Sequence, residues 1–174
     1  MRETVTDADL ARLPLWAAVA FAARCARQVQ LFIKQGWPSM PKNLTADVER
    51  AIAIAERCAG QAKGVPNYSP AADADQAGDA QGTAARWAED KTITPYIDAA
   101  VGAAYAADVA GDYVAGASWA RHEKVYELVG RALRGATAQV QVQAALSADY
   151  ARLLQAAQDQ QWNDETPVPA TFFD

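Results

Sequence analysis

Hydrophobic positions recur at steps of three and four residues along most of the chain, which is the spacing of one face of an α-helix. The clearest series follows Pro14 and comprises Leu15, Val19, Ala22, Ala26, Val29 and Ile33. The polar residues of the same stretch fall on the other side and are Arg24, Arg27, Gln28, Lys34 and Gln35. The pattern predicts a helix over about residues 14–35 that turns one face towards a core.

A second series of the same kind follows the proline-bearing connector Trp37-Pro38-Ser39-Met40-Pro41. Its apolar positions are Val48, Ile52, Ala55, Ala59 and Ala62. We expect a helix over about residues 45–63, capped by Thr45 and ended by Gly64. Because the connector is short, the two helices are predicted to be antiparallel neighbours.

The remaining helical patterns are separated by breaks in the series. A short helix is predicted from a Thr6 cap through Arg12, and a marginal one near 70–80 inside a soft loop at about 64–83. Further helices are predicted at about 83–90, from Thr94 to a pause near Gly111, from Val114 to a stop at Gly135, and over about 137–160. We expect one helical domain over residues 1–163. The tail at 164–174 is expected to be extended or disordered unless Phe172 and Phe173 dock onto that domain.

The amino-acid composition agrees with this prediction of helices. Alanine, the strongest helix former, makes up roughly a quarter of the chain. Alternating runs of valine, isoleucine, threonine and tyrosine, which mark strands, are missing. The predicted fold is all-α, a compact multi-helix bundle of antiparallel, alanine-rich helical hairpins.

Charge and cysteine content limit the classes of partner and compartment. The formal net charge of −5 and the pI near 4.9 argue against a protein that binds nucleic acid by neutralising phosphates. The N-terminus is polar and unlike a signal peptide, and no stretch approaches the roughly 18 apolar residues of a membrane span. Cys25 and Cys58 are expected to be buried free thiols, as in a reducing cytoplasm. We therefore expect a cytoplasmic protein.

Paired carboxylates are the main candidate for a chemical site. Asp108 and Asp112 are one helical turn apart, and Asp98 lies about three turns earlier, so the three could hold a metal ion such as Mg²⁺. His122, the single histidine, is expected to be a surface or boundary residue. The acidic residues of the soft loop, Asp73, Asp75 and Asp79, are expected to be solvated. Since no nucleophile–base pairing or phosphate-binding loop is present, the sequence predicts no catalytic residue and no cofactor.

The pair of predicted helices at residues 15–59 resembles the opening of the fifth-numbered family of bacterial immunity proteins and its relatives. The motifs that carry the resemblance are Trp16-Ala17-Ala18, Cys25-Ala26, Leu31-Phe32, the proline-bearing connector, and Arg50-Ala51-Ile52. The resemblance implies an all-α protein that neutralises a cognate bacterial toxin by direct protein–protein contact.

A binding protein of this kind needs a specific surface patch and no catalytic group. Large apolar residues in predicted loops, Trp37, Met40 and Tyr68, are our candidates for that patch, although the same residues would also suit a cover over the ends of the core. Two alternatives stay open. One is a metal-dependent enzyme or ligand-binding bundle that uses Asp98, Asp108 and Asp112, and the other is a structural adaptor that acts through oligomerisation.

Overall fold

The predicted all-α fold is confirmed in a computed structural model of the chain, which describes residues 4–65, 72, 75–76, 78–79 and 92–174. Within these residues every regular element is helical. The α-helices are α1 (Asp7–Leu10), α2 (Leu15–Gly36), α3 (Lys42–Gln61), α4 (Thr94–Val114), α5 (His122–Thr137) and α6 (Gln143–Asp159). Short 3₁₀ turns occur at Val140–Val142 and Ala170–Phe172. No described helix is long and apolar enough to cross a bilayer.

Helix α2 forms the centre of the bundle. It packs against α3, α4, α5 and α6, and residues 15–23 are buried without exception. The first half of α2 is therefore surrounded on all sides, and an outward polar face begins only at Arg24. Trp16 and Phe21 are the largest fully buried side chains of the core, while the alanines between them let the neighbouring helices approach.

Contacts between α2 and α3 show that the two helices are antiparallel, as predicted. The guanidinium group of Arg27 donates to Glu56 at 2.8 Å, whereas Gln30, one turn later in α2, reaches back to Glu49 in α3. As the residue number rises in one helix it falls in the other. The five-residue connector 37–41 favours this arrangement.

Helices α4 and α5 form a second antiparallel hairpin, with the most extensive contact in the bundle. Gly135 of α5 lies against Ala99 of α4, and Gly102 of α4 lies against Ala132 of α5. A methyl group at Gly135 would lie 2.3 Å from the carbonyl oxygen of Pro95. The absence of side chains at these two glycines thus determines how closely α4 and α5 approach each other.

Several predicted helix ends are wrong, and either local hydrogen bonding or packing explains each difference. Helix α3 begins at Lys42 rather than after a Thr45 cap, because Pro41 starts it and the Thr45 hydroxyl donates to the Pro41 carbonyl within the first turn. Helix α4 runs through Gly111 without a pause, since that glycine packs directly against Gly64. Gly135 likewise lies inside α5 instead of ending it.

The chain also breaks where the apolar spacing predicted continuity. The helix expected from Val114 onwards starts only at His122, and residues 115–121 form a connector in which Gly116 has a φ of +83°. That left-handed conformation suits glycine and reverses the chain direction. The last helix starts at Gln143, after a 3₁₀ turn, rather than near 137. The helix predicted at 83–90 lies outside the described residues, as does most of the soft loop.

The tail that follows α6 is docked onto the helices, as its two phenylalanines allowed. Val168 is buried and its N–H donates to the carbonyl of Ala59 at 3.0 Å. Phe172 packs edge-on against Trp162 and lies under the guanidinium group of Arg152. Residues 164–174 thus run over the helices without forming a helix longer than one turn.

Candidate functional site

An open groove lies where α2 ends and α3 begins. We call it the α2–α3 groove; it has a volume of about 640 Å³. Its larger lining side chains are Arg27, Gln30, Leu31, Ile33, Lys34, Trp37, Met40, Lys42 and Val48. Ile33 and Val48 are buried and form the floor, whereas Leu31, Lys34 and Lys42 are exposed. The groove therefore has an apolar floor and a partly charged rim.

The connector that shapes this groove is rigid for local reasons. Gly36 is the last residue of α2, and the N–H of Trp37 closes the helix by donating to the carbonyl of Ile33 at 2.9 Å. Pro38 and Pro41 restrict the backbone on either side of Met40, and Pro41 caps α3. Trp37 and Met40 are consequently held in place, half-buried and packed against the core.

Leu31 is the residue of this groove that the sequence-based candidates left out. It is 60% exposed, although Ile33, two residues later in the same helix, is only 4% exposed. The available signal was its position, because Leu31 lies off the apolar series that predicted α2. An apolar side chain on the outward face of a helix is unusual only when it belongs to a larger apolar patch, and here Trp37 and Met40 line the same groove as Leu31.

Charges in the α2–α3 groove are unevenly paired. Arg27 donates to Glu56 and to Glu49, at 2.8 and 2.6 Å. The hydrogen bonds with Glu56 raise the pKa of Arg27, and the hydrogen bond from Arg27 lowers the pKa of Glu49. Lys34 and Lys42, by contrast, have no acidic partner in the described part of the chain.

The structure places two of the three predicted patch residues together. Trp37 and Met40 both line the α2–α3 groove, three residues apart on the same connector. Tyr68 lies outside the described residues, so its place relative to the groove stays a prediction. Because Trp37 and Met40 also contact the core, each serves as part of the groove and as a cover over the end of the bundle.

The predicted metal ligands do not form one site. Asp98 pairs with Arg131 at 2.9 Å, and it lies ten residues before Asp108 on the same helix, which is roughly 15 Å along the axis. One ion cannot contact both carboxylates, so the structure does not bring together Asp98, Asp108 and Asp112, the alternative metal ligands. Among the residues that the structure describes, no group of three histidine, cysteine or acidic side chains converges on a metal position. Of the acidic residues predicted for the soft loop, Asp75 is helical and accepts a hydrogen bond from the Tyr105 hydroxyl, and Asp73 lies outside the described residues.

His122 occupies the boundary position that was expected, and its partner could not be read from the sequence. Its Nε2 lies 2.9 Å from Asp164 in the tail, and its ring packs between Tyr113 and Tyr126. The other oxygen of Asp164 accepts the N–H of Leu15 at 2.8 Å, which satisfies one of the unpaired donors at the start of α2. This arrangement ties the tail to two helices and has no nucleophile in it.

A larger cleft, of about 860 Å³, lies between the N-terminal segment and α6. Its wall on α6 is built mainly of small side chains, namely Ala144, Ser147, Ala148 and Ala151. Val140 is 73% exposed beside it, and the chain enters it at Thr4, directly after residues that the structure does not describe. The α2–α3 groove has more large apolar side chains in a fully described surface, and it is therefore our candidate site.

Comparison of the chain with protein-family models, with curated proteins and with solved structures returned no match.

Proposed function

We propose that this protein works by binding another protein through the α2–α3 groove, and that the partner is a bacterial toxin which the binding neutralises. The observation that carries the proposal is the exposed Leu31 beside the half-buried Trp37 and Met40. Large apolar side chains at the edge of a rigid concavity are typical anchors of protein interfaces. The toxin as partner rests on the resemblance of residues 15–59 to immunity proteins.

The groove suits occlusion of a partner better than turnover of a substrate. It is lined by leucine, isoleucine, tryptophan, methionine and valine with lysines at the rim, and its arginine is already engaged by Glu49 and Glu56. None of these side chains is a nucleophile paired with a base. The pre-formed connector also lowers the cost of ordering the surface on binding.

A photo-crosslinking amino acid at position 31 tests the site in cells that produce the protein, with the same substitution at Val140 as the matched exposed apolar control. We expect one protein to be crosslinked from position 31 and not from position 140. That protein, once identified by mass spectrometry and purified, should bind the wild type. Leu31→Asp should weaken the affinity by about tenfold or more, the loss expected for an interface anchor. Val140→Asp should change it by less than about twofold.

Growth assays then test the toxin as partner. Expression of the crosslinked protein alone should arrest growth, and co-expression of the wild type, but not of Leu31→Asp, should restore it. A partner that is harmless to cells would leave binding in place and contradict neutralisation. Crosslinking from position 140 instead of position 31 would move the site to the cleft beside α6 and contradict the proposed groove.

A further inference from the structure

The connector 37–41, which forms one wall of the α2–α3 groove, has few main-chain donors left for a bound peptide. The N–H of Trp37 donates to the carbonyl of Ile33, and the N–H of Met40 donates to the carbonyl of Trp37. Pro38 and Pro41 have no N–H. An extended segment binds mainly through main-chain hydrogen bonds, for which this connector offers little. A helix satisfies its own main chain, so it needs only side-chain contacts from the groove.

The apolar part of the groove matches one face of such a helix. The floor of Ile33 and Val48 and the half-buried Trp37 and Met40 run from the last turns of α2 to the second turn of α3. Leu31 stands at the edge of this strip and is free to pack beside an inserted side chain. Grooves of this kind bind amphipathic helices through apolar anchors at i, i+3 or i+4, and i+7.

Charge supplies the remaining specificity. The whole chain carries a net charge of −5, yet the rim has two lysines, Lys34 and Lys42, without an acidic partner among the described residues. Arg27 adds no attraction, because its two carboxylate partners, Glu49 and Glu56, outnumber it by one charge. With the two lysines included, the groove still has one net positive charge. A local basic rim on an acidic protein attracts a partner segment with carboxylates beside its apolar face.

From these three observations we infer that the occupant of the α2–α3 groove is an amphipathic helix of the partner protein, with acidic residues along the edge of its apolar face. The inference rests on the proposed function, because it describes the segment through which the bound protein would enter the same groove.

Two peptide display libraries test the inference directly. One presents helical peptides with randomised apolar-face and edge positions, and the other presents proline-containing peptides that stay extended. Both are selected on the wild-type protein and counter-selected on Leu31→Asp, so that only groove binders are kept. We expect the surviving binders to come from the helical library and to be enriched in aspartate and glutamate at the edge positions.

Charge-reversed proteins test the role of the two lysines. Lys34 is in the last turn of α2 and Lys42 in the first turn of α3, so the dipole effects of a double reversal to glutamate oppose each other and the fold is little disturbed. We expect the double variant Lys34→Glu and Lys42→Glu to lower the affinity for the selected peptides at least tenfold. The matched control, Lys63→Glu with Lys124→Glu, has the same net charge and should lower the affinity less than twofold.

Groove binders that are extended, that carry basic edges, or that tolerate the double reversal would overturn the inference, as would a selection that yields no binder sensitive to Leu31→Asp. These outcomes are separate from the proposed function, which depends on crosslinking of the native partner. A native partner that crosslinks at position 31 through a basic or extended segment would support the function and overturn the acidic helix. Acidic helices selected from the library, without any native protein crosslinked at position 31, would support the acidic helix and contradict the proposed function.

Discussion

Two cysteines illustrate how the environment of a single residue controls its chemistry in this protein. Cys25 of α2 and Cys58 of α3 are both free and both buried. Burial raises the pKa of Cys25, with a smaller contribution from the negative charge of Asp149, and burial also raises the pKa of Cys58. Because the thiolate is the reactive form, neither residue is suited to nucleophilic or redox chemistry.

We therefore expect native Cys25 and Cys58 to react with a maleimide about 100-fold more slowly than the same residues in urea-unfolded protein, since labelling requires opening of the core. Mass spectrometry of time points in native and denaturing buffer measures both rates. In a Cys58→Ala variant the labelling rate is that of Cys25 alone. Rapid double labelling without denaturant would contradict the packing of α2 against α3.

At the scale of helices, close approach in the α4–α5 hairpin depends on positions without a side chain. A methyl group at Gly102 would come within 2.9 Å of the Leu128 carbonyl oxygen, and one at Gly135 within 2.8 Å of the Ala99 nitrogen. These neighbours are backbone atoms in helices and have little freedom to move aside. Gly60 in α3 differs, because a methyl group there would meet only the Val168 carbonyl oxygen at 3.7 Å, an ordinary contact.

Replacing Gly135 by alanine should lower the free energy of unfolding by about 2–3 kcal/mol, because the helices must separate to admit the methyl group. Gly60→Ala makes the same chemical change in a helix without a clash. It should raise the free energy of unfolding by about 0.5–1 kcal/mol through helix propensity. Urea denaturation followed by circular dichroism measures both. Equal effects of the two substitutions would show that the hairpin contact does not limit stability.

At the scale of the whole molecule, the tail joins elements that are distant in the sequence. Asp164 contacts the first turn of α2 and His122 at the start of α5. Val168 hydrogen-bonds to the end of α3, and Phe172 contacts Arg152 of α6. The tail thus connects four helices on the surface of the bundle.

Asp164→Ala should reduce the free energy of unfolding by about 1 kcal/mol, the cost of losing a side-chain acceptor at a helix N-terminus. The control is Glu165→Ala, an exposed neighbour in the same tail, which should change stability by less than about 0.5 kcal/mol. Chemical denaturation measures both differences. If Asp164→Ala proves as mild as the control, the tail is docked by its apolar residues alone.

Sequence alone predicted the helical class, the α2–α3 hairpin and the capping of α1. These features depend on local information, since apolar spacing, alanine content and a Thr6–Asp9 capping box act within one or two turns. Helix ends were predicted less well. Gly111 and Gly135 are helix breakers by propensity, but both lie inside helices because each allows a close contact with a distant segment.

The candidate site was predicted in part for the same reason. Trp37 and Met40 could be predicted because prolines mark a loop, and large apolar residues in a loop are typical of a binding surface. Leu31 and the lysines at the rim could not be predicted, because their place in the groove depends on which surface of α2 the other helices leave open. The separation of Asp98 from Asp108 along one helix could be predicted, because it follows from ideal helical geometry.

What the sequence determined by itself was the set of helices and the core-facing side of most of them, because hydrophobic periodicity is a property of each segment. Only the tertiary structure decided that α2 is surrounded over residues 15–23, that Asp164 meets both Leu15 and His122, and that Leu31 borders a groove. Each of these depends on segments far apart in the chain. Their positions follow from how all the helices share one core, and no local pattern encodes that packing.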